Sequence, residues 1–169
     1  TVAPPDSPGL DWFGELGKLN AVEFRAAQRG RAALSKFLAP LRRELIGARP
    51  DDVRSVWRSI LSGVDGMTLA GEFGEFFCHG LKEGLRRSIA GWRDDDLALV
   101  TPWGFDCSSV TAPTLLLHGA EDWFVGPAHS RSLASQLPRA SARVVPHEGH
   151  LSLFARGAPD VFDWLISKL

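Results

Sequence analysis

The sequence has little cysteine, no long apolar run and no excess of charge of either sign, and each shortage removes a class of protein. Two cysteines, Cys78 and Cys107, do not make a disulfide framework, and neither has a partner at metal-ligand spacing; two free thiols in a reducing compartment is the plain reading. The apolar runs are only a few residues long, far short of the ~20 that a bilayer span needs, and no charged-then-apolar leader opens the chain. With 19 basic against 20 acidic residues the net charge is −1, so nothing favours nucleic acid or an anionic membrane as a partner. The expectation is a soluble, cytoplasmic protein. Methionine occurs once, at Met67, and the chain opens on Thr1, which points to processing or to a piece of something longer.

What is present fits a globular domain: 169 residues, a 44% hydrophobic share and six tryptophans, without internal repeats or low-complexity segments. Thr1 to Gly9, rich in proline and small residues, reads as an irregular connector leading into Trp12-Phe13. Asn20-Ala21-Val22-Glu23 has the form of a capping box. Leu34, Phe37, Leu38, Leu41 and Leu45 follow at helical spacing, predicting a long amphipathic helix that Pro40 should kink or split. Pro50-Asp51-Asp52 opens a second helix, with Val53, Val56, Trp57, Ile60 and Leu61 on one face, stopping at Ser62-Gly63. A third helix is predicted from about Thr68 to Arg87, its apolar side including Gly80 and Gly84, which would let another helix or a ligand come close. Asp94-Asp95-Asp96 reads as the first turn of a short helix ending near Leu99, because carboxylates suit the positive end of the helix dipole.

After Pro102-Trp103-Gly104-Phe105-Asp106 the pattern changes. A strand is expected over Thr114 to His118, a helix around Pro127 to Leu137, a second strand near Ala142 to Val145, and a last helix with Pro159 near its start. That helix carries Val161, Phe162, Leu165, Ile166 and Leu169 on one face. The β-α-β-α order with apolar strands implies a parallel sheet covered by helices.

Each strand runs into a loop with a chemically useful residue: Asp122 after the first, His150 after the second. An aspartate that holds a histidine in one tautomer frees its other nitrogen to take a proton from a nucleophile, which is the need of acyl transfer and hydrolysis. The competing readings are a turn aspartate bonding its own backbone and a capping or partly buried histidine. His147 lies three residues from His150, but Pro146 and Gly149 argue against the helix that would align them as metal ligands. His118 reads as a strand-end residue, His129 as a helix-surface one, and Glu121 and Glu148 as solvated loop carboxylates. Ser108, Ser109 and Ser152 are the serines nearest the motifs, and none stands in a Gly-x-Ser-x-Gly turn. Trp12, Phe13, Phe73, Phe76 and Phe77 suit an acyl or alkyl pocket, although a helical core uses the same residues more often.

Leu115-x-x-x-Gly119-x-x-Asp122 and Gly149-His150, with 28 residues between acid and base, resemble the C-terminal part of the α/β-hydrolase family. The resemblance implies an α/β fold: the C-terminal portion of a parallel sheet, residues 100–169, with a helical cap or lid module over residues 1–99. It implies Asp122 as triad acid and His150 as triad base, no organic cofactor or metal, and a small-molecule substrate with an apolar part, most simply a carboxylic ester or small amide. The family's nucleophile elbow and the early loop of its oxyanion hole are not in this sequence. Val2-Ala3-Pro4-Pro5-Asp6 aligns with the stretch after the sixth core strand, which puts the nucleophile on a missing N-terminal half, leaves this chain inactive alone, and leaves a sheet edge for that half or a second copy to cover. The alternative is a non-catalytic fragment or binding module for a small apolar ligand or a protein partner.

Overall fold

The computed structural model describes residues 1–168. Six helices come first: α1 (Lys18–Gln28), α2 (Arg31–Leu45), α3 (Pro50–Val56), α4 (Gly63–Leu69), α5 (Glu72–Leu85) and α6 (Ala90–Leu99). A 3-10 turn at Cys107–Ser109 leads to β1 (Thr114–Gly119), α7 (Ala128–Gln136), β2 (Ala140–Val145), α8 (His150–Arg156) and α9 (Ala158–Ile166). β1 and β2 pair in parallel, from Thr114 opposite Ala140 to Gly119 opposite Val145, with α7 making the crossover that a parallel pair requires.

Helix boundaries in the first half differ from the periodicity, in each case for a local reason. α1 begins at Lys18, so Asn20 is not a cap; its side-chain amide donates to Phe124 O at 3.1 Å and ties α1 to the loop after β1. The break between helices falls at Gly30, which has φ 97°, and α2 runs unbroken through Pro40. The carbonyl that loses its partner to Pro40 belongs to Lys36, an exposed residue that water can reach. α3 stops at Val56, short of Ser62, whose Oγ instead accepts from Asp65 N at 3.3 Å and starts α4. The predicted third helix is two, α4 and α5, with Gly71 between them. Gly74 packs against the Leu69 carbonyl so closely that a Cβ there would collide with it. Asp94 to Asp96 lie in the middle of α6: Asp94 pairs with Arg31 and Arg93 at 2.8 and 3.0 Å, and Asp96 is buried.

The largest apolar cluster joins the helices to the second half, packing Phe24, Leu45, Ile60 and Leu69 with Phe124, Val125 and Leu151. It therefore sits beneath the loops that follow both strands. An antiparallel bridge between Leu16 and Val125, with Gly17 N donating to Phe124 O at 3.0 Å, fixes the loop after β1 from the helical side. At the other end of the chain packing is sparse. The stripe Val161, Phe162, Leu165 and Ile166 of α9 faces solvent, with Ile166 66% exposed. Leu169, expected on the same stripe, lies outside the described residues. No helix among the described residues is long and apolar enough to cross a membrane.

Candidate active site

β1 ends at Gly119, where a Cβ would strike the carbonyls of Glu148 and Gly149. That close approach lets the two loops lie side by side, and Glu121 N donates to Glu148 O at 2.8 Å across them. Asp122 follows in a tight turn whose backbone caps its own side chain: Oδ1 accepts from Phe124 N at 2.9 Å and Val125 N at 3.0 Å. The turn-aspartate geometry and the orienting-acid geometry thus coexist, because they use different oxygens. Oδ2 receives His150 Nδ1 at 2.8 Å. Burial by itself raises the pKa of this carboxyl. Hydrogen bonds from His118 and His150, the charge on His150 and the Val125 N–H outweigh that and hold it well below the usual carboxylate range.

His150 is not a loop residue but the first residue of α8. Its ring stacks on Phe124, with centroids 4.6 Å apart and planes 22° apart, and its side chain remains 38% exposed. With Nδ1 bound to the carboxylate, Nε2 is the ring nitrogen left for chemistry. His150 borders a cavity of about 350 Å³ walled also by Leu117, His118, Asp122, Leu153 and Phe162.

Two further residues shape the site: His118, which the sequence read only as a strand-end residue, and Asp65, which it did not single out. His118 is 1% exposed; its Nε2 donates to Val125 O at 2.8 Å and lies 3.4 Å from Asp122 Oδ2, so it braces the acid loop. Asp65 on α4 is completely buried, and its carboxylate accepts from the backbone N–H of His150, Leu151 and Ser152 at 3.0, 2.9 and 2.9 Å. These are orphan donors at the start of α8, the positive end of a helix, so a carboxylate from another helix sets the position of His150. Gly149 is required beside it, since a Cβ would run into the same carboxylate. The signal for Asp65 was present as Ser62-x-x-Asp65, a capping-box pattern; its distant role was not.

The other candidates fall away from the site or change character. His129 is fully buried rather than on a helix surface: Nδ1 accepts from Ala3 N at 3.2 Å and Nε2 donates to Trp12 O at 3.1 Å. Glu148 is not a solvated carboxylate; it pairs with Arg156 at 3.1 Å, and its Oε2 is buried without a partner among the described residues. Glu121 is half-exposed and lies 3.6 Å from the exposed ring of His147. Ser152 is buried with its Oγ accepting from Gly149 N at 2.7 Å, and no serine hydroxyl among the described residues hydrogen-bonds His150. No group of three metal-ligating side chains occurs among the described residues. Of the aromatic candidates, Trp12 and Phe13 pack edge-to-face in the core at 5.0 Å, whereas Phe76 and Phe77 line a second cavity.

A family model described as alpha/beta hydrolase fold matches residues 20–156. The chain belongs to the α/β-hydrolase fold family. Among solved structures, a thermophilic esterase from Thermogutta terrifontis is 20% identical with a TM-score of 0.53, over 98% of this chain and 53% of that one. BpoC of Mycobacterium tuberculosis H37Rv, provisionally named a non-heme bromoperoxidase, is 22% identical with a TM-score of 0.50, over 85% of this chain and 52% of that one. At these identities the likeness is one of fold. This α/β-hydrolase chain spans about half the length of the solved structures it matches. A search of curated proteins returns no match.

Proposed function

We propose that this chain carries the acid and the base of a hydrolase triad, Asp122 and His150, for cleavage of a carboxylic ester or a small amide. The observation that supports this reading is the 2.8 Å hydrogen bond from Nδ1 of His150 to a carboxylate whose other oxygen is held by two backbone N–H groups. In that arrangement Asp122 keeps the ring proton on Nδ1, and Nε2 takes the proton of an attacking hydroxyl and later returns it to the leaving group. The sequence holds no Gly-x-Ser-x-Gly turn, so the nucleophile and the oxyanion donors belong to a preceding segment of the sheet. That segment would pair with the β1–β2 sheet and cover the apolar stripe of α9; a second copy of the chain is the other candidate for the same surface. Residues 1–99 would act as the lid and residues 100–169 as the core. Two free, buried thiols, Cys78 and Cys107, fit a reducing, cytoplasmic setting.

The test is hydrolysis of p-nitrophenyl esters by the polypeptide in which this chain follows its nucleophile-bearing segment. With Asp122→Asn the amide can present its oxygen to Phe124 and Val125 only by turning its NH2 toward His150, which moves the ring proton to Nε2. We expect kcat to fall about 10⁴-fold, the loss seen when a triad tautomer is reversed, with little change in KM. Loss below about tenfold would remove Asp122 from the role. A second reading, a binding module for a small apolar ligand, draws on the large second cavity; ligand binding without any His150-dependent turnover would favour it.

A further inference from the structure

The second cavity, about 630 Å³, is walled mostly by the helical half, with Phe124 and Phe154 from the second half. Most of its wall is apolar, including Phe24, Leu45, Trp57, Phe77 and Leu81, and an added Cβ at Gly80 or Gly84 of α5 would meet nothing within 4 Å. One part of the wall is acidic. Glu23 from α1 and Asp95 and Asp96 from α6 meet there, and no lysine, arginine or histidine is among the described residues that line the cavity.

This is a built arrangement rather than a solvated acidic face. Glu23 and Asp96 are 7% and 5% exposed. Trp92 Nε1 donates to Glu23 Oε1 at 2.6 Å, and among the described residues no N–H or hydroxyl donates to the buried Asp96 Oδ2. An unpartnered buried acceptor is costly unless something supplies a donor. Burial, then hydrogen bonding with Glu23 and the charges of Glu23 and Asp95, raises the Asp96 carboxyl, and burial likewise raises Glu23. No basic side chain among the described residues that line the cavity offsets these carboxyls. One side chain separates this cavity from the acid-base pair, because Phe124, stacked on His150, forms part of its wall, and Phe154 borders both cavities.

We propose that this cavity binds a molecule with an apolar body ending in a protonated amine, the ammonium seated between Glu23 and Asp96 beside the Trp92 indole. Its identification as the substrate, an ester or amide with an amine-bearing chain, rests on the hydrolase reading above; the binding itself does not. The apolar body would occupy the space left by Gly80 and Gly84. The ammonium would supply the donors that Asp96 Oδ2 lacks, with the Trp92 and Phe24 rings available for cation–π contact.

Three probes of equal chain length and different heads decide it: n-octylamine, 1-octanol and octanoate, titrated into the 169-residue chain by calorimetry and by tryptophan fluorescence. The amine should bind at least about tenfold tighter than the alcohol, and octanoate weakest, as expected for a charge-assisted contact in an apolar site. In Glu23→Gln/Asp96→Asn the amine should fall to the affinity of the alcohol while the alcohol is unchanged. Gly84→Leu should weaken both by filling the cavity, a readout independent of the double variant's folding. Equal binding of the three heads by the wild type, no binding of any, or an amine preference that survives the double variant would overturn the proposal. Ester hydrolysis is measured separately: amine-selective binding without hydrolysis would leave this site standing and sink the hydrolase reading, and hydrolysis without amine selectivity would do the reverse.

Discussion

Removing the Asp65 carboxylate should unseat His150 although the two side chains have different tasks. Asp65 accepts three backbone N–H groups at the start of α8, and all three belong to consecutive residues beginning with His150. A hydrogen bond to a charged group contributes roughly 1.5–3 kcal/mol. Three would sum to more than the variant actually loses, because the bonds share one side chain and water entering the vacated site recovers part of the loss. We expect Asp65→Ala to cost about 3–5 kcal/mol, comparable to stripping a buried charged network of one partner. With an m-value of about 2 kcal/mol per molar urea, the unfolding midpoint should drop by roughly 2 M. Asp65→Asn is the finer probe. Its oxygen can still serve Leu151 and Ser152, but its NH2 must then face the His150 N–H, so it should lose about 1–3 kcal/mol. In both variants the downfield Nδ1 proton of His150 in the NMR spectrum should weaken or move as the 2.8 Å contact to Asp122 loosens. A midpoint within about 0.3 M of wild type, together with an unmoved Nδ1 proton, would refute the claim that α4 positions His150.

Three other outcomes follow from the same geometry. Gly149→Ala places a methyl against the Asp65 carboxylate and should cost about 1–3 kcal/mol by overpacking, seen as a lower unfolding midpoint and, under the proposed function, a lower kcat. His129 has its pKa lowered to about 4, chiefly by burial, against the hydrogen bond to the Trp12 carbonyl that raises it. The unfolded chain, with its histidine near 6.5, binds the extra proton first, so this contribution to stability is whole above about pH 6.5 and fades as pH falls toward 4. Thermal melts of His129→Gln should be flatter than wild type across that window, and an identical slope would count against the assignment. Gly80→Ala, in a helix interior with open space around the added methyl, should stabilise the fold by about 0.5–1 kcal/mol in urea titrations.

The order β1, α7, β2 and a last helix was legible in the sequence because it depends on local pattern, whereas α8, which begins at His150, was not expected. β1 was expected over Thr114 to His118 and extends one residue further, and the α7 and β2 bounds differ by one or two residues. Apolar runs, turn glycines and a proline near a helix start are short-range signals. Asp122 and His150 were singled out because Asp122 stands three residues past Gly119 and His150 directly after Gly149, each just beyond a strand-like run. The helical half was harder: Asn20 is drawn into a contact with Phe124 rather than capping its helix, and α2 tolerates Pro40 where the orphaned carbonyl faces water. Only the tertiary structure put Asp65 under the first turn of α8, His118 against Asp122, Phe124 against His150, and Glu23 beside Asp96 in an apolar wall. Those partners are up to 87 residues apart in the chain. Periodicity says which face of an element is apolar, but which buried charge meets which helix end depends on how the elements pack.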